Sequence, residues 1–147
     1  MKETDELETP PWLWDQLSAV FNFTVDACAT EGNSFCRTYC TIEDSFLTAE
    51  GLEDETIWLN PPYSNPGPFL AKAHYWAERG ATPIALVKGD PSTKWWVLNV
   101  SNKATVFWIP TRIKFYLNGE PMEHAASFPS VLLIYWGINW RPNALAS

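Results

Sequence analysis

The chain has 147 residues and weighs 16.7 kDa, with 46% hydrophobic, 18% charged and 15% aromatic residues. That suits one domain burying roughly 70% of its unfolded surface and excludes a disordered tail or a fibrous repeat. The formal charge of −7 argues against a protein that coats nucleic acid by charge alone.

The charge is unevenly spread. Residues 1–60 carry thirteen acidic residues against Lys2 and Arg37, whereas residues 88–117 carry Lys88, Lys94, Lys103, Arg112 and Lys114 against Asp90 alone. A polyanion would approach the C-terminal half. The opening MKETDELETP has no apolar run, so no signal peptide is expected. The longest apolar run, Val131–Trp136, is far short of the ~20 residues of a membrane span. The expected location is the cytoplasm, with no membrane partner. Cys28, Cys36 and Cys40 read as thiols in such a chain, and C-x7-C-x3-C with two distant histidines matches no familiar zinc spacing. No metal is expected.

In chain order, Thr9-Pro10-Pro11 predicts an N-cap and a proline-opened helix through Phe21, with Trp14, Leu17 and Phe21 on one face. Phe23–Asp26 predicts a short strand. Residues 30–55 are polar and acidic without a clear period. Thr56–Leu59 predicts a second strand, running directly into Asn60-Pro61-Pro62-Tyr63. The segment SNPGP (64–68) predicts irregular backbone. Phe69, Ala73, Trp76 and Ala77 then form a helical stripe that stops at Arg79-Gly80. Pro83–Val87 reads as a strand buried on both faces. Ser92 or Thr93 can cap a short helix through Trp95, Trp96 and Leu98. Ala104–Ile109, Ile113–Leu117 and Val131–Trp136 complete the strands, the last two as a candidate edge hairpin.

Strand alternating with helix is the grammar of a mostly parallel α/β sheet, whose ligands sit beyond the carboxyl ends of the strands. DACA (26–29) and NPPY (60–63) both fall there. Asn60 places an amide oxygen at a strand end, and the Pro61 carbonyl owes nothing to a sheet ladder. Two such acceptors can take both hydrogens of an exocyclic amino group. Tyr63 offers a ring on which a flat base stacks, a contact worth ~1–3 kcal/mol. A plain proline-rich turn between strand and helix is the structural alternative.

A [DNS]-P-P-[YFW] string at a strand end is the signature of S-adenosylmethionine-dependent amino-methyltransferases. Here it stands in an ordered series: Thr9-Pro10 and Trp12, Val25–Ala29, Glu43–Leu47, Asn60–Tyr63, Thr93–Trp96, Arg112–Phe115 and Ser127–Ser130. Over nearly the whole chain, that series resembles the small phage-type DNA N-6-adenine methyltransferases, a Dam-like family. The resemblance implies one Rossmann-like class I methyltransferase domain over residues 1–147, pared down, with a mostly parallel sheet and a C-terminal antiparallel hairpin. It implies S-adenosyl-L-methionine as cofactor, bordered by Thr9, Pro10, Trp12, Asp26, Cys28, Ala29, Asp44 and Asn60. It implies Asn60, Pro61, Pro62 and Tyr63 as the catalytic set. One departure stands out: the wider superfamily has a glycine-rich turn where this chain reads DACATEG, with Ala27, Ala29 and a single Gly32.

The expected partner is DNA presenting a flipped or unpaired adenine, because a base inside a duplex cannot reach such a pocket. Lys88, Lys94, Arg112 and Lys114 are the candidate phosphate surface. About thirty residues between the first two motif strands leave no room for two further strand-helix units, and no segment is large enough for a separate recognition domain. Short or relaxed sequence specificity follows, read by residues 64–68 and 110–128. A planar NH2 on RNA or on a protein glutamine would suit the same chemistry. An acidic, non-catalytic interaction module on this fold is the alternative from another class.

Overall fold

The structure, a computed structural model, describes residues 6–30, 32–138 and 140; the acidic residues 1–5 and the last seven lie outside it. Helix α1 (Pro11–Val20) opens on two prolines, since first-turn residues need no amide donor. The Pro10 carbonyl accepts from the Leu13 and Trp14 amides. Pro10, not Thr9, holds the cap position, without a side-chain bond. Leu13, Leu17 and Phe21 are the buried stripe. Trp14, expected with them, packs half-buried against the same cluster and also stacks on Phe35 at 4.4 Å between ring centroids.

The strands follow as β1 (Val25–Asp26), β2 (Thr38–Tyr39), β3 (Thr56–Leu59), β4 (Thr82–Lys88), β5 (Thr105–Trp108), β6 (Tyr116–Leu117), β7 (Glu120–Pro121) and β8 (Ser130–Ile134). Six of them form one sheet in the order β2-β1-β3-β4-β8-β5. Pairs β2–β1, β1–β3 and β3–β4 are parallel, and β8 runs antiparallel between β4 and β5. Helices α2 (Gly67–Ala77) and α3 (Lys94–Asn99) are the β3–β4 and β4–β5 crossovers. The fold is α/β, with a mostly parallel sheet and a separate β6–β7 hairpin.

Both faces of the sheet are covered, so its strands read as continuous apolar runs. The period of two still sorts the side chains. Ile57, Leu59, Ala85, Val87, Val131 and Leu133 face α2 and α3, where Leu70, Ala73, Trp76 and Trp96 meet them. Trp58, Ile84, Leu86 and Leu132 face the other way, under α1, Ile113 and Phe115.

Three expectations need correction. Gly67 and Pro68 belong to the first turn of α2 rather than to irregular backbone, with Pro66 at its cap. Within residues 113–117, only Tyr116 and Leu117 are strand, and they pair with Glu120–Pro121, not with β8. Ile113 and Phe115 are buried by packing on the sheet face instead. The edge antiparallel pair is β5 with β8.

Candidate active site

The chain leaves β1 outward to β2 and returns on the other side of β1 to β3. That reversal is a topological switch point, and in such sheets it marks the crevice beyond the carboxyl ends of the strands, here β1 and β3, where ligands sit. Asp26 closes β1, and Asn60 follows Leu59, the last residue of β3. Sequence and topology converge on one corner.

Asn60 is held by its nitrogen. Nδ2 donates to the Leu7 carbonyl at 3.1 Å and to Thr9 Oγ1 at 3.4 Å. Oδ1 is buried and has no hydrogen-bond partner among the described residues. A buried acceptor left empty costs about 1–3 kcal/mol, so the arrangement suits a donor arriving from outside. Pro61 is buried behind it. The Pro62 carbonyl accepts from the Asn65 amide at 3.3 Å, closing the turn that delivers Tyr63.

The Tyr63 ring packs edge-on against Phe115 at 5.8 Å and tilted against Phe128 at 5.3 Å. Its hydroxyl is buried without a partner among the described residues, and burial pushes that phenol well above its ordinary pKa. It stays neutral near pH 7. The residue as a whole is half-buried, and it lines a cavity of about 110 Å³ with Pro66, Val87, Lys88, Asp90, Thr93 and Trp95. Of the adjacent tryptophans, Trp96 is core and Trp95 walls this cavity.

Asp26 is almost fully buried, and its carboxylate organises the β1–β2 loop. Oδ1 accepts from the Cys28 amide at 3.3 Å and Oδ2 from the Phe35 amide at 3.1 Å. Burial raises its pKa, and the two backbone donors only partly pull it back. Partial burial of its own, with the Asp26 charge, holds the Cys36 thiol up at about 11. Beside this loop lies a larger cavity of about 490 Å³, lined by Ala29, Thr30, Tyr39, Thr41, Ile42, Glu43 and Asp44. Thr41 and Asp44 close on each other through two bonds, amide to Oγ1 at 3.1 Å and amide to carbonyl at 3.0 Å.

Thus Thr9 meets Asn60, Asp26 binds the Cys28 amide, and Ala29 and Asp44 share one cavity. Pro10 is buried at the start of α1, and Trp12 is exposed in its first turn. Lys88 lines the smaller cavity, whereas Lys94, Arg112 and Lys114 stand exposed without a shared contact among the described residues. Leu7 and Tyr39 escape sequence reasoning as site residues, being a backbone acceptor and part of an unpatterned stretch.

The switch point, the strand-end amide and the two cavities belong to an α/β protein with a mostly parallel sheet. Residues 1–144 match the family model for DNA N-6-adenine-methyltransferase (Dam). Two similar proteins are the DNA N-6-adenine-methyltransferases of Haemophilus phage HP1 and Escherichia phage T1. The first is 31% identical over 138 residues, 90% of this chain and 79% of that protein. The second is 31% identical over 105 residues, 71% of this chain and 43% of that protein. The chain belongs to the DNA N-6-adenine-methyltransferase family. Among solved structures, a similar chain is a Pyrococcus horikoshii protein described as a proposed RNA methyltransferase. The TM-score is 0.46 and the identity 14%, covering 73% of this chain and 53% of that one.

Proposed function

We propose that this chain methylates the exocyclic N-6 amino group of adenine in DNA, using S-adenosyl-L-methionine, with short or relaxed sequence specificity. One observation carries the reading: the buried, unpartnered Oδ1 of Asn60 at the carboxyl end of β3.

The adenine amino group is a poor nucleophile because its lone pair is delocalised into the ring. Accepting one of its hydrogens at Asn60 Oδ1 and the other at the Pro61 carbonyl favours a pyramidal nitrogen with a directed lone pair. Leu7 and Thr9 keep the Asn60 amide from turning, so the acceptor is preorganised. Tyr63 presents its ring as the stacking face, and Trp95 walls the same cavity. No base needs to act first, since the proton leaves after transfer. His74 fits that economy: it sits on α2, 3.4 Å from Glu78.

The cofactor supplies an activated methyl group on a sulfonium. The larger cavity suits its adenosine, with Tyr39 and Ile42 as walls and the Asp44 and Glu43 carboxylates as acceptors for amino and hydroxyl groups. Ala29 keeps that border low in the absence of a glycine-rich turn. Thr9 and Asp26 reach the site through Asn60 and the β1–β2 loop, and Pro10, Trp12 and Cys28 flank them. Lys88, Lys94, Arg112 and Lys114 are assigned to phosphates, and the target base is taken unpaired or flipped.

The test is transfer of tritiated methyl from S-adenosylmethionine, offered in parallel to unmethylated DNA, RNA and protein. Label in DNA, recovered as N-6-methyladenine at many short sites, is the expected result. Label in RNA or glutamine alone would overturn the substrate, and no label anywhere would leave the interaction module.

A further inference from the structure

Glu8 ties three parts of the chain together. Its backbone forms an isolated antiparallel bridge to Tyr116 in β6, amide to carbonyl at 2.8 and 3.0 Å. Its Oε1 accepts from the Gly119 amide at 2.9 Å, in the turn between β6 and β7. Its Oε2 accepts from Asn33 Nδ2 at 3.3 Å. Asn33 Oδ1 in turn accepts from the Thr30 amide at 2.6 Å, and Thr30 lines the larger cavity. The neighbours of Glu8 on either side, Leu7 and Thr9, supply both acceptors to Asn60 Nδ2.

Those acceptors set the polarity of the amide. Turned the other way, Asn60 would set its oxygen against the Leu7 carbonyl and present donors to an incoming amino group. A peptide carbonyl only accepts, so Leu7 decides which end of Asn60 faces the crevice. It does so only while its segment stays in place, and residues 7–9 belong to no helix or sheet ladder. Glu8 is what pins them.

The geometry points to Glu8 as a positioning residue for methyl transfer. Through Leu7 and Thr9 it keeps the Asn60 amide oxygen aimed at the crevice, and through Asn33 it links that aim to the loop bordering the larger cavity. This rests on the reading of Asn60 as acceptor for the target amino group.

Two readouts test it. In the protein without ligand, water exchange of the Asn60 side-chain amide hydrogens, assigned by their loss in Asn60→Asp, speeds up in Glu8→Ala. Glu8→Gln, which keeps an acceptor for the Gly119 amide, returns most of the protection. In single-turnover transfer, Glu8→Ala lowers the rate about tenfold to a hundredfold, with KM for DNA within about twofold, because the amide is misaimed rather than the substrate unbound. In an Asn60→Ala background the same change adds nothing further, the mark of two residues acting as one unit. Should Glu8→Ala not fold, Asn33→Ala carries the same comparisons.

Unchanged exchange and rate in Glu8→Ala, or an equal loss in both backgrounds, overturns the role of Glu8. Full activity in Asn60→Ala alone overturns the underlying reading instead. An inactive Asn60→Ala beside an unaffected Glu8→Ala removes only Glu8.

Discussion

At the residue scale, Tyr63 and Asp26 give opposite lessons about buried polar groups. The Tyr63 hydroxyl has no partner among the described residues, so Tyr63→Phe is expected to leave stability unchanged or slightly raised, because only an unmet donor is removed. Tyr63→Ala removes the stacking face and should weaken binding of an unpaired adenine by ~1–3 kcal/mol. Fluorescence titration of a 2-aminopurine oligonucleotide reads this; equal affinity in both variants would remove Tyr63 from the base pocket. Asp26, by contrast, is buried with both oxygens occupied. Its raised pKa means that the native state holds a proton where the unfolded chain has lost it. Its contribution to stability therefore falls as pH climbs from the ordinary Asp value, about 3.9, through the raised one, and levels off above it. Asp26→Asn should flatten that fall in urea melts while costing about 1 kcal/mol for one lost backbone acceptor. An unchanged pH slope would contradict the assignment.

At the element scale, legibility in the sequence followed how each segment is held. Strand β3 and most of β4 were legible because continuous burial on both faces writes an apolar run. The position of NPPY was legible because a strand-like run, Thr56–Leu59, leads straight into it. Residues 30–55 were opaque because their order comes from individual side chain to backbone bonds, at Asp26, Asn33 and Ser45, which leave no periodicity. The β6–β7 hairpin did have a signal, Asn118-Gly119, at φ 53° and 81°. Such a two-residue turn fits the left-handed conformation. Glycines divide in the same way. A Cβ on Gly137 would lie 2.5 Å from the Ala81 carbonyl oxygen and 2.6 Å from that of Gly80, where the chain leaves β8. Gly137→Ala should cost ~1–3 kcal/mol or more. Gly32 has nothing within 4 Å of such a Cβ. Gly32→Ala should stay within about 0.5 kcal/mol. Chemical denaturation checks both, and equal costs would contradict this account of the packing.

At the scale of the whole molecule, a net charge of −7 coexists with an exposed basic set at Lys88, Lys94, Arg112 and Lys114. DNA affinity on this account falls with salt through these four, and each phosphate contact contributes a slope of about −0.9 in log K against log salt. Replacing all four with Gln should lower the slope accordingly, whereas an unchanged slope would move the phosphate surface elsewhere. Among the described residues no helix is long and apolar enough to cross a membrane. Among the described residues, the sheet is pared down between β1 and β3 to one two-residue strand and a single 3-10 turn, Phe46–Thr48. What this small scaffold retains is the switch point, and with it the amide on which the proposed chemistry depends.

That dependence has a direct measurement: the single-turnover rate of N-6-methyladenine formation in unmethylated DNA, for the native chain and for Asn60→Ala, with circular dichroism matched. The account predicts a loss of at least ~100-fold, the scale of removing one preorganised electrostatic partner. A folded Asn60→Ala protein that methylates at the native rate would contradict it.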